Sequence, residues 1–364
     1  MTERPVIKGN KRPTMQSIAA NLGISRNSVF LALNDKSGVG EELRRQIMEE
    51  ARRVGYGGYA SQTPDAMSRC IIVVVPEYLH NDAFFYSDVF WAIESEAKKR
   101  GCIAINSTVT REAERTLALP ALPEGMKVLG FLVIGVMDAA YVRKLYEAQL
   151  PMLSVDISYC DPPISCVGTA NHSGGYLATR HLIEKGHRRI GFIGPVYAAQ
   201  SVYERWCGFR QAMEQEGLPI DQGYDIIGRP GPFELFDTME ALSPLFDRLD
   251  GYPTAWFCGG DRIALAAINL LSMRGLRVPE DVSIMGFDDI PVAKMVFPQL
   301  TTVHVKRKRM GRLATEYLLR ATEQHQELMH MCLPCSIVER GSIAAPRAQA
   351  TECKVSTDAR AAVI

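Results

Sequence analysis

From about residue 70 onward, short apolar segments alternate with amphipathic segments of helical length. An apolar strand must be covered on both faces, so this alternation predicts parallel sheets built from right-handed strand-helix-strand units. We expect two doubly wound α/β lobes, with ligands bound in the crevice at the carboxyl ends of the strands. The strand candidates are 71–76, 102–107, 128–135, 151–156, 189–195, 254–261 and 282–289, and the helix candidates are 86–100, 174–186, 204–217, 235–248 and 262–275.

Residues 14–55 show a different pattern, which predicts three short helices around one small core. The first two helices and the turn between them have the dimensions of a helix-turn-helix, whose second helix enters the major groove of DNA. A three-helix bundle without DNA binding is the alternative. The boundary residues are Thr14 and Ser25 as caps, Gly23 as the turn, Gly40, Glu41 and Glu42 at the start of the third helix, and Val54 at its end.

Charge is distributed unevenly along the 364 residues, although the net charge is zero. Residues 1–60 hold ten Lys and Arg against six Asp and Glu, which makes this end of the chain the one suited to meet phosphate. A second basic run, KRKR at 306–309, is better explained as a solvated segment beside a crossover between lobes.

Small and turn-forming residues between Tyr56 and Arg69 mark a linker. The polar, unpatterned residues at the end of the chain predict a disordered tail. The predicted organisation is a DNA-binding domain at 12–57, a linker at 58–69, a ligand-binding domain at 70–343 and a tail at 344–364. Within the ligand-binding domain, the first lobe comprises 70–168 plus 297–328 and the second comprises 169–296 plus 329–343.

The composition argues against an exported or membrane protein. No apolar run approaches the roughly 20 residues of a membrane helix. The first fifteen residues lack the apolar core of a signal peptide, so we expect a cytoplasmic protein. Nine scattered cysteines suit reduced, mostly buried thiols, and the single C-x-x-C at Cys332 and Cys335 is interpreted as structural rather than as a metal or redox site.

Motifs of common enzyme classes are absent from the sequence. There is no G-x-G-x-x-G, phosphate loop, G-x-S-x-G or H-E-x-x-H. His172, His181 and His187 are near one another in sequence, but their spacing does not place them on one helix face. We therefore predict no enzymatic activity, no cofactor and no metal.

Several stretches together resemble the LacI/GalR family of bacterial repressors over almost the whole chain. They occur in the family's order and spacing, which makes the resemblance specific. The stretches are TMQSIAANLGISRNSVFLALND, VGEELRRQIMEEARRVGY, GGYLATRHLIEKGHRRIGFIGP, ERWCGFRQAMEQEGL, PTAWFCGGD, GLRVPEDVSIMGFDDIP, LTTVHVKRKRMGRLATEYLL and VERGS.

The resemblance implies which residues of the second helix read DNA. The base-reading positions fall on Arg26, Asn27 and Leu31. Arg can pair with guanine and Asn with adenine, whereas Leu31 offers only apolar contact to a thymine methyl group. A phosphate contact is the alternative for Arg26. Thr14, Ser25 and Ser28 are candidate phosphate contacts, although capping alone explains the first two.

Phe30 and the linker depart from the family pattern. Phe30 stands where Ser is common, and packing on the third helix or on a partner is an alternative to DNA contact. Many family members insert a leucine from a hinge helix into the minor groove. Asp65 occupies that position here and follows Pro64, so we expect hinge-helix intercalation to be absent or altered.

The resemblance also implies an effector pocket between the lobes. Arg205 and Asp288 match ligand-gripping charges, and Asp156 matches another common pocket position. Phe85, Tyr86 and Phe233 are candidates for stacking on a ring, with ordinary core packing as the alternative for each. Asp261 is better explained as the cap of the helix that follows it.

The resemblance thus implies a homodimeric regulator, most simply a repressor, that binds operator DNA under control of a small molecule. A sugar or sugar derivative is the favoured effector, with a nucleobase or another metabolite as the alternative. The rival interpretation is a cytoplasmic small-molecule-binding protein of the same fold that lacks specific DNA binding.

Overall fold

The computed structural model describes residues 14–33, 36, 38–54, 56, 69–79, 84–220, 223–228, 237–322 and 327–347. The chain divides into two compact units. The first comprises Met1–Ile72, Glu94–Ile105 and Ala121–Leu129, and the second comprises Val73–Ile93, Asn106–Pro120 and Gly130–Ile364.

The N-terminal residues form the three predicted helices, α1 (Met15–Leu22), α2 (Arg26–Leu33) and α3 (Glu41–Val54). Thr14 caps α1, because its hydroxyl accepts the Ser17 N–H at 3.2 Å while the Ser17 hydroxyl accepts the Thr14 N–H at 2.9 Å. Gly23 ends α1 with φ 67°, a left-handed conformation that suits glycine. The miniature core consists of Ile18, Ala19, Val29, Ala32, Ile47 and Ala51.

The rest of the chain alternates strands and helices, as predicted for an α/β fold. The strands are β1 (Arg69–Pro76), β2 (Ile103–Val109), β3 (Lys127–Ile134), β4 (Met152–Val155), β5 (Ser165–Thr169), β6 (Ile190–Gly194), β7 (Ile226–Ile227), β8 (Ala255–Cys258), β9 (Ser283–Asp288), β10 (Thr301–His304), β11 (His330–Leu333) and β12 (Ser336–Val338). The helices are α4 (Tyr86–Lys99), α5 (Arg111–Thr116), α6 (Ala139–Tyr146), α7 (Asn171–Glu184), α8 (Gln200–Gln215), α9 (Met239–Phe246), α10 (Asp261–Met273) and α11 (Arg307–Ala321), with 3-10 turns at Glu77–Leu79 and Pro291–Lys294.

The strands form two six-stranded sheets, in the orders β11-β5-β4-β3-β1-β2 and β12-β10-β9-β8-β6-β7. In the second sheet, β7, β6, β8, β9 and β10 pair in parallel and β12 is the antiparallel edge. The central strands β6 and β8 are buried along their whole length, because helices cover both faces of a parallel sheet.

Strand pairing shifts two of the predicted lobe boundaries. β10 pairs with β9 in the second sheet, and β11 pairs with β5 in the first sheet. The prediction had assigned 297–328 to the first lobe and 329–343 to the second. Strands of four residues carry too little periodicity to be assigned to a sheet from sequence, so these crossings were placed several residues too early.

Two helices begin earlier than predicted. α7 starts at Asn171 rather than 174, and α8 starts at Gln200 rather than 204. The first turns of both helices carry polar residues, among them Asn171 and Ser201, which interrupt the apolar periodicity from which a helix start is inferred.

The basic run at 306–309 is not simply solvated, contrary to prediction. It begins α11, and Arg307 is buried. The Arg307 guanidinium lies 3.2 Å from Asp88 Oδ2 in α4 and donates to the backbone carbonyls of Asp288 and Asp289. A buried ion pair of this kind is not visible in sequence, because its two members are 219 residues apart.

The cysteines are less uniformly buried than predicted. All eight that the structure describes are free thiols, and four of them are buried. Cys160 and Cys332 are exposed. None of the helices in the described part of the chain combines the length and the apolar character needed to cross a membrane.

The first residues of the predicted tail make specific contacts. The Ala344 N–H donates to Ser283 Oγ at 3.1 Å, and Arg347 lies 3.2 Å from Asp281 Oδ1. Residues 348–364 lie outside the described residues.

Candidate functional site

A cavity of about 510 Å³ opens at the carboxyl ends of several strands, entirely within the second unit. This volume falls in the range of roughly 300–1,000 Å³ that is typical of small-molecule pockets. Its walls come from the segments that follow β1, β4, β6, β8 and β9, which is where parallel sheets present ligand-binding residues. The lining includes Tyr78, Phe84, Phe85, Tyr86, Asp156, Ser201, Arg205, Asp237, Arg262, Asp288 and Ile290.

Four contacts hold the Arg205 guanidinium in this cavity. Its Nε donates to Asn171 Oδ1 at 2.9 Å, and its Nη1 donates to the Gly259 carbonyl at 2.6 Å. Its Nη2 lies 3.2 Å from Asp288 Oδ1. The guanidinium carbon Cζ lies over the Phe287 ring, 3.8 Å from the ring centroid. A cation fixed in this way presents a preorganised donor edge to a ligand.

Two glycines allow the helix that carries Arg205 to approach its neighbour. A Cβ on Gly208 would lie 2.0 Å from the His172 carbonyl oxygen, and a Cβ on Gly175 would lie 2.1 Å from the Arg205 carbonyl oxygen. Only glycine fits at these positions, so the close packing of α7 against α8 places Arg205 beside Asn171.

Asp288, the last residue of β9, and Asp289, which follows it, adopt the left-handed region with φ of 112° and 53°. Non-glycine residues with positive φ cost free energy and concentrate at functional sites. Asp289 is not a lining residue of the cavity, and its carboxylate accepts from Arg340 at 2.5 Å and from His304 at 2.9 Å. Burial raises the pKa of Asp289, but these hydrogen bonds outweigh it and hold the pKa below its usual value.

Asp156 directly follows β4 with φ 73°, and only one of its carboxylate oxygens accepts a hydrogen bond from the described residues. Its Oδ2 accepts from the Tyr86 hydroxyl at 3.3 Å, whereas its Oδ1 is buried and accepts no hydrogen bond from the described residues. Burial raises the pKa of this carboxyl group, and the charge of Arg205 opposes that shift. An acceptor that is desolvated and unsatisfied is available to a donor on a ligand.

Asp156 also lines a second cavity, of about 170 Å³, which shares Ser201 with the first. Thr169 Oγ1, which is buried, accepts no hydrogen bond from a described residue there. The remaining walls include Asn171, Glu204 and His330.

Aromatic side chains form one wall of the larger cavity. The rings of Phe85 and Tyr86 meet edge to face with centroids 4.8 Å apart. Phe84 and Tyr78 extend this wall. Phe85 and Tyr86 were predicted from the sequence, and Phe233 lies outside the described residues.

The structure brings the predicted residues Phe85, Tyr86, Asp156, Arg205 and Asp288 into one cavity. Asp261 does not line it and does not cap α10, whose N-cap is Gly260. The Asp261 carboxylate instead accepts the Ile290 N–H at 2.8 Å and the Thr302 hydroxyl at 2.5 Å, and burial raises its pKa. This buried carboxylate therefore connects the segment after β9 to β10 by hydrogen bonds.

Sequence reasoning missed several lining residues. Asn171 follows β5, a strand whose sequence SCVGT is too polar to be recognised. Ser201 lies one helical turn before Arg205 on α8, and this spacing was the available signal. Arg262 is placed by an ion pair with Asp237 at 2.7 Å, for which the sequence gives no indication.

The N-terminal helices present the predicted DNA-reading residues at their surface. Arg26 and Asn27 are exposed at the start of α2, and Leu31 and Ser28 are half-buried. Ser25 Oγ accepts the Ser28 N–H at 3.0 Å, so Ser25 has the capping role that was expected. Residues 57–68, which include Pro64 and Asp65, lie outside the described residues.

Comparison with known proteins identifies relatives of most of the chain. Residues 179–343 match the family model of a periplasmic binding protein-like domain. The HTH-type transcriptional repressor PurR of Actinobacillus pleuropneumoniae serotype 3 is 30% identical over 315 residues, which cover 84% of this chain and 90% of that protein. PurR of Aliivibrio salmonicida is 27% identical over 338 residues, which cover 91% of this chain and 98% of the relative.

Solved structures show the same fold. A complex of the transcriptional regulator CelR with cellobiose matches with a TM-score of 0.66 and 27% identity, covering 91% of this chain and all of that chain. A ribose-bound LacI family regulator from Enterococcus faecium matches with a TM-score of 0.62 and 25% identity, covering 76% and 99%. A lac repressor dimer bound to operator and the anti-inducer ONPF matches with a TM-score of 0.63 and 24% identity, covering 92% and 100%.

Proposed function

Because the chain belongs to the LacI family of transcriptional regulators, we propose that it senses a sugar or sugar derivative in the cavity around Arg205 and Asp288 and thereby controls its affinity for operator DNA. It is a LacI-family transcriptional repressor with an effector-binding domain, and members of this family are not enzymes. Operator binding places its proposed site of action in the cytoplasm.

The arrangement of polar and flat surfaces in the cavity carries this proposal. Arg205 supplies donors, Asp156 and Asp288 supply acceptors, and Phe85 and Tyr86 supply apolar ring faces. A sugar ring has hydroxyl groups that donate and accept and an apolar face that stacks on aromatic rings. The sugar-bound relatives CelR and the Enterococcus faecium regulator support the same class of ligand.

A nucleobase is the second candidate, because the same aromatic wall suits any flat ring. A base donates and accepts hydrogen bonds only in the plane of its ring, whereas the hydroxyl groups of a sugar project from the ring in several directions. It would leave more of the three charged groups unsatisfied, so we favour the sugar.

For DNA binding, we propose that two copies of α2 read the two halves of a roughly palindromic operator. Arg26 and Asn27 are exposed where the recognition helix of a helix-turn-helix meets base edges. A two-fold dimer presents identical helices to two half-sites, so a homodimer fits a palindromic site. Thr14, Ser25 and Ser28 are the proposed phosphate contacts and Leu31 the proposed apolar reader.

The coupling between ligand and DNA is proposed to pass through closure of the cavity. Asp156 follows β4 of the first sheet, whereas Asp288 ends β9 of the second sheet and Arg205 lies on α8, the helix that follows β6 of that sheet. A ligand that contacts both sets stabilises the arrangement in which they are close together. Ligand binding then shifts the dimer between arrangements that differ in operator affinity.

A selection experiment followed by a ligand screen tests this function. The full-length protein is used to select sites from random double-stranded DNA, and operator affinity is measured by fluorescence anisotropy between about 50 and 200 mM salt. Sugars and nucleobases are screened by thermal shift, and each stabilising compound is added to the operator titration. We expect a palindromic site, affinity that falls steeply with salt, and a sugar that changes it.

The proposal fails in separable ways. If no specific site emerges with or without the screened compounds, DNA control is wrong. If a site emerges but only nucleobases alter affinity, the sugar assignment is wrong and the regulator remains.

A further inference from the structure

The outer face of α2 carries an aromatic residue that none of the assigned roles uses. With 3.6 residues per turn, the buried Val29 and Ala32 define the inner face of this helix, and Phe30 is on the opposite face between Arg26 and Asn27. The Phe30 side chain is 38% exposed, while Val29 is fully buried. Phe30 belongs neither to the buried core of the three helices nor to the partly buried residues that pack against it.

Lys36 lies against this ring. Its ammonium nitrogen is 5.2 Å from the Phe30 ring centroid, within the distance of a cation-π contact. The backbone around Lys36 is held in place, because its N–H donates to the Leu31 carbonyl at 2.9 Å and its own carbonyl accepts from Arg44 Nη2 at 2.6 Å. Lys36 forms no ion pair with a carboxylate among the residues that the structure describes, so its charge is available to a phosphate.

Leu31, the other apolar residue of this face, is less accessible than Phe30. It is half-buried, and its Cδ1 lies close to Gly38, where an added Cβ would be 3.3 Å away. The largest exposed apolar surface on the DNA-facing side of α2 therefore belongs to Phe30 rather than to Leu31.

We propose that Phe30 is a further specificity-determining residue, which recognises the C5-methyl group of a thymine in each operator half-site, and that Lys36 binds the adjacent phosphate. The thymine methyl group is the one apolar feature that a base pair displays in the major groove, and aromatic side chains contact it. The ammonium group lies beside the ring, so the base contact and the phosphate contact would be adjacent on the operator. This inference rests on the operator binding proposed above.

Replacing thymine by deoxyuridine tests the inference, because it removes the methyl group and leaves every base pair intact. Each thymine of the selected operator is replaced in turn, in both half-sites, and the Kd is measured for the full-length protein. We expect one position at which loss of the methyl group weakens binding by about fourfold per half-site, as burial of roughly one methylene implies. Phe30→Ala should bind the unmodified operator less tightly and lose the methyl dependence at that position.

Two further variants separate the roles. Leu31→Ala is the matched control. It should keep the methyl dependence at the thymine assigned to Phe30 and change the binding contribution of a different base pair. Lys36→Gln should weaken binding to all sequences alike and reduce the slope of log Kd against log salt by about one for each phosphate that the lysine neutralises. Because Phe30 and Lys36 are exposed, circular dichroism should show unchanged helix content in both variants.

Three results would overturn the inference. The first is a methyl dependence that is the same in Phe30→Ala as in the unaltered protein. The second is an operator in which no thymine methyl group matters. The third is dissociation of the Phe30→Ala dimer on gel filtration, which would assign the ring to a protein interface. A failure to select any operator instead contradicts the regulator function itself.

Discussion

Arg205 Nη2 and Asp288 Oδ1 lie 3.2 Å apart in the larger cavity, although the two residues belong to different strand-helix units of the second sheet. Both side chains are largely removed from solvent, so neither charge is compensated by water. A ligand that contacts one member of such a buried pair also changes the electrostatic environment of the other member.

The first prediction concerns Asp156, whose Oδ1 is buried without a hydrogen bond from the described residues. Asp156→Asn removes a desolvated charge and keeps the side-chain shape, and Asn tolerates the left-handed backbone at φ 73°. We expect thermal stability to rise by about 1 kcal/mol, or roughly 2–4 °C in Tm, while ligand binding weakens. Differential scanning fluorimetry with and without a bound sugar measures both effects.

The exposed Asp250→Asn is the matched control, because it removes the same charge from the surface. It should leave both Tm and the ligand-induced shift unchanged. Destabilisation by Asp156→Asn would mean that the carboxylate stabilises the fold rather than serving the ligand.

The second prediction concerns the contact between α7 and α8. In Gly208→Ala the new Cβ meets the His172 carbonyl oxygen and the Tyr176 nitrogen at 2.0 and 2.6 Å, so one helix must move. Overpacking of this kind costs roughly 1–3 kcal/mol, and it also displaces Arg205 one turn away. We expect a lower urea midpoint together with a smaller ligand-induced Tm shift.

Gly251→Ala controls for the loss of a glycine, because nothing lies within 4 Å of the Cβ it would add. It should be close to neutral in the same urea titration. Equal effects of the two substitutions would contradict the role of helix contact.

The third prediction concerns His187, which is buried with its Nδ1 2.9 Å from Thr254 Oγ1. Burial lowers its pKa from 6.5 to about 4. The imidazole of the unfolded chain therefore binds a proton more readily than the buried imidazole does. The stability that the neutral ring provides is present above pH 6.5 and is lost as the pH falls towards 4. Between pH 7 and pH 5 we expect a loss of about 2 kcal/mol from this residue.

Urea unfolding of His187→Gln at the two pH values should show a smaller loss than the unaltered protein. His172→Gln, at an exposed site, should lose as much unfolding free energy between pH 7 and pH 5 as the unaltered protein does. If His187→Gln keeps the complete pH dependence, another group is responsible.

Much of this architecture can be predicted from the sequence. Buried strands such as β6 and β8 are continuous apolar runs, and the capping residues Thr14 and Gly23 mark their helix ends, because these features arise from local chemistry. Asp156 and Asp288 lie at the carboxyl ends of apolar strands, but it was the resemblance to the LacI/GalR family that assigned them to the site.

What the sequence could not provide depends on contacts between distant residues. Arg307 was expected in solvent, yet it is buried beside Asp88, and Asp261 was expected to cap a helix, yet it accepts from Thr302. β5 and β11 are short or polar, so only their pairing reveals them. Asn171 was missed because the strand before it was missed.

The most direct test of ligand control is the operator affinity of Arg205→Lys with and without a sugar that stabilises the unaltered protein. Lysine keeps the charge but cannot contact Asn171, Gly259 and Asp288 together. For the unaltered protein, and for the exposed control Arg248→Lys, we expect the sugar to change operator Kd by about 5- to 150-fold. For Arg205→Lys we expect the same Kd without sugar and less than about a twofold change with it. A full sugar response in Arg205→Lys would contradict the assignment of this cavity as the site that controls DNA binding.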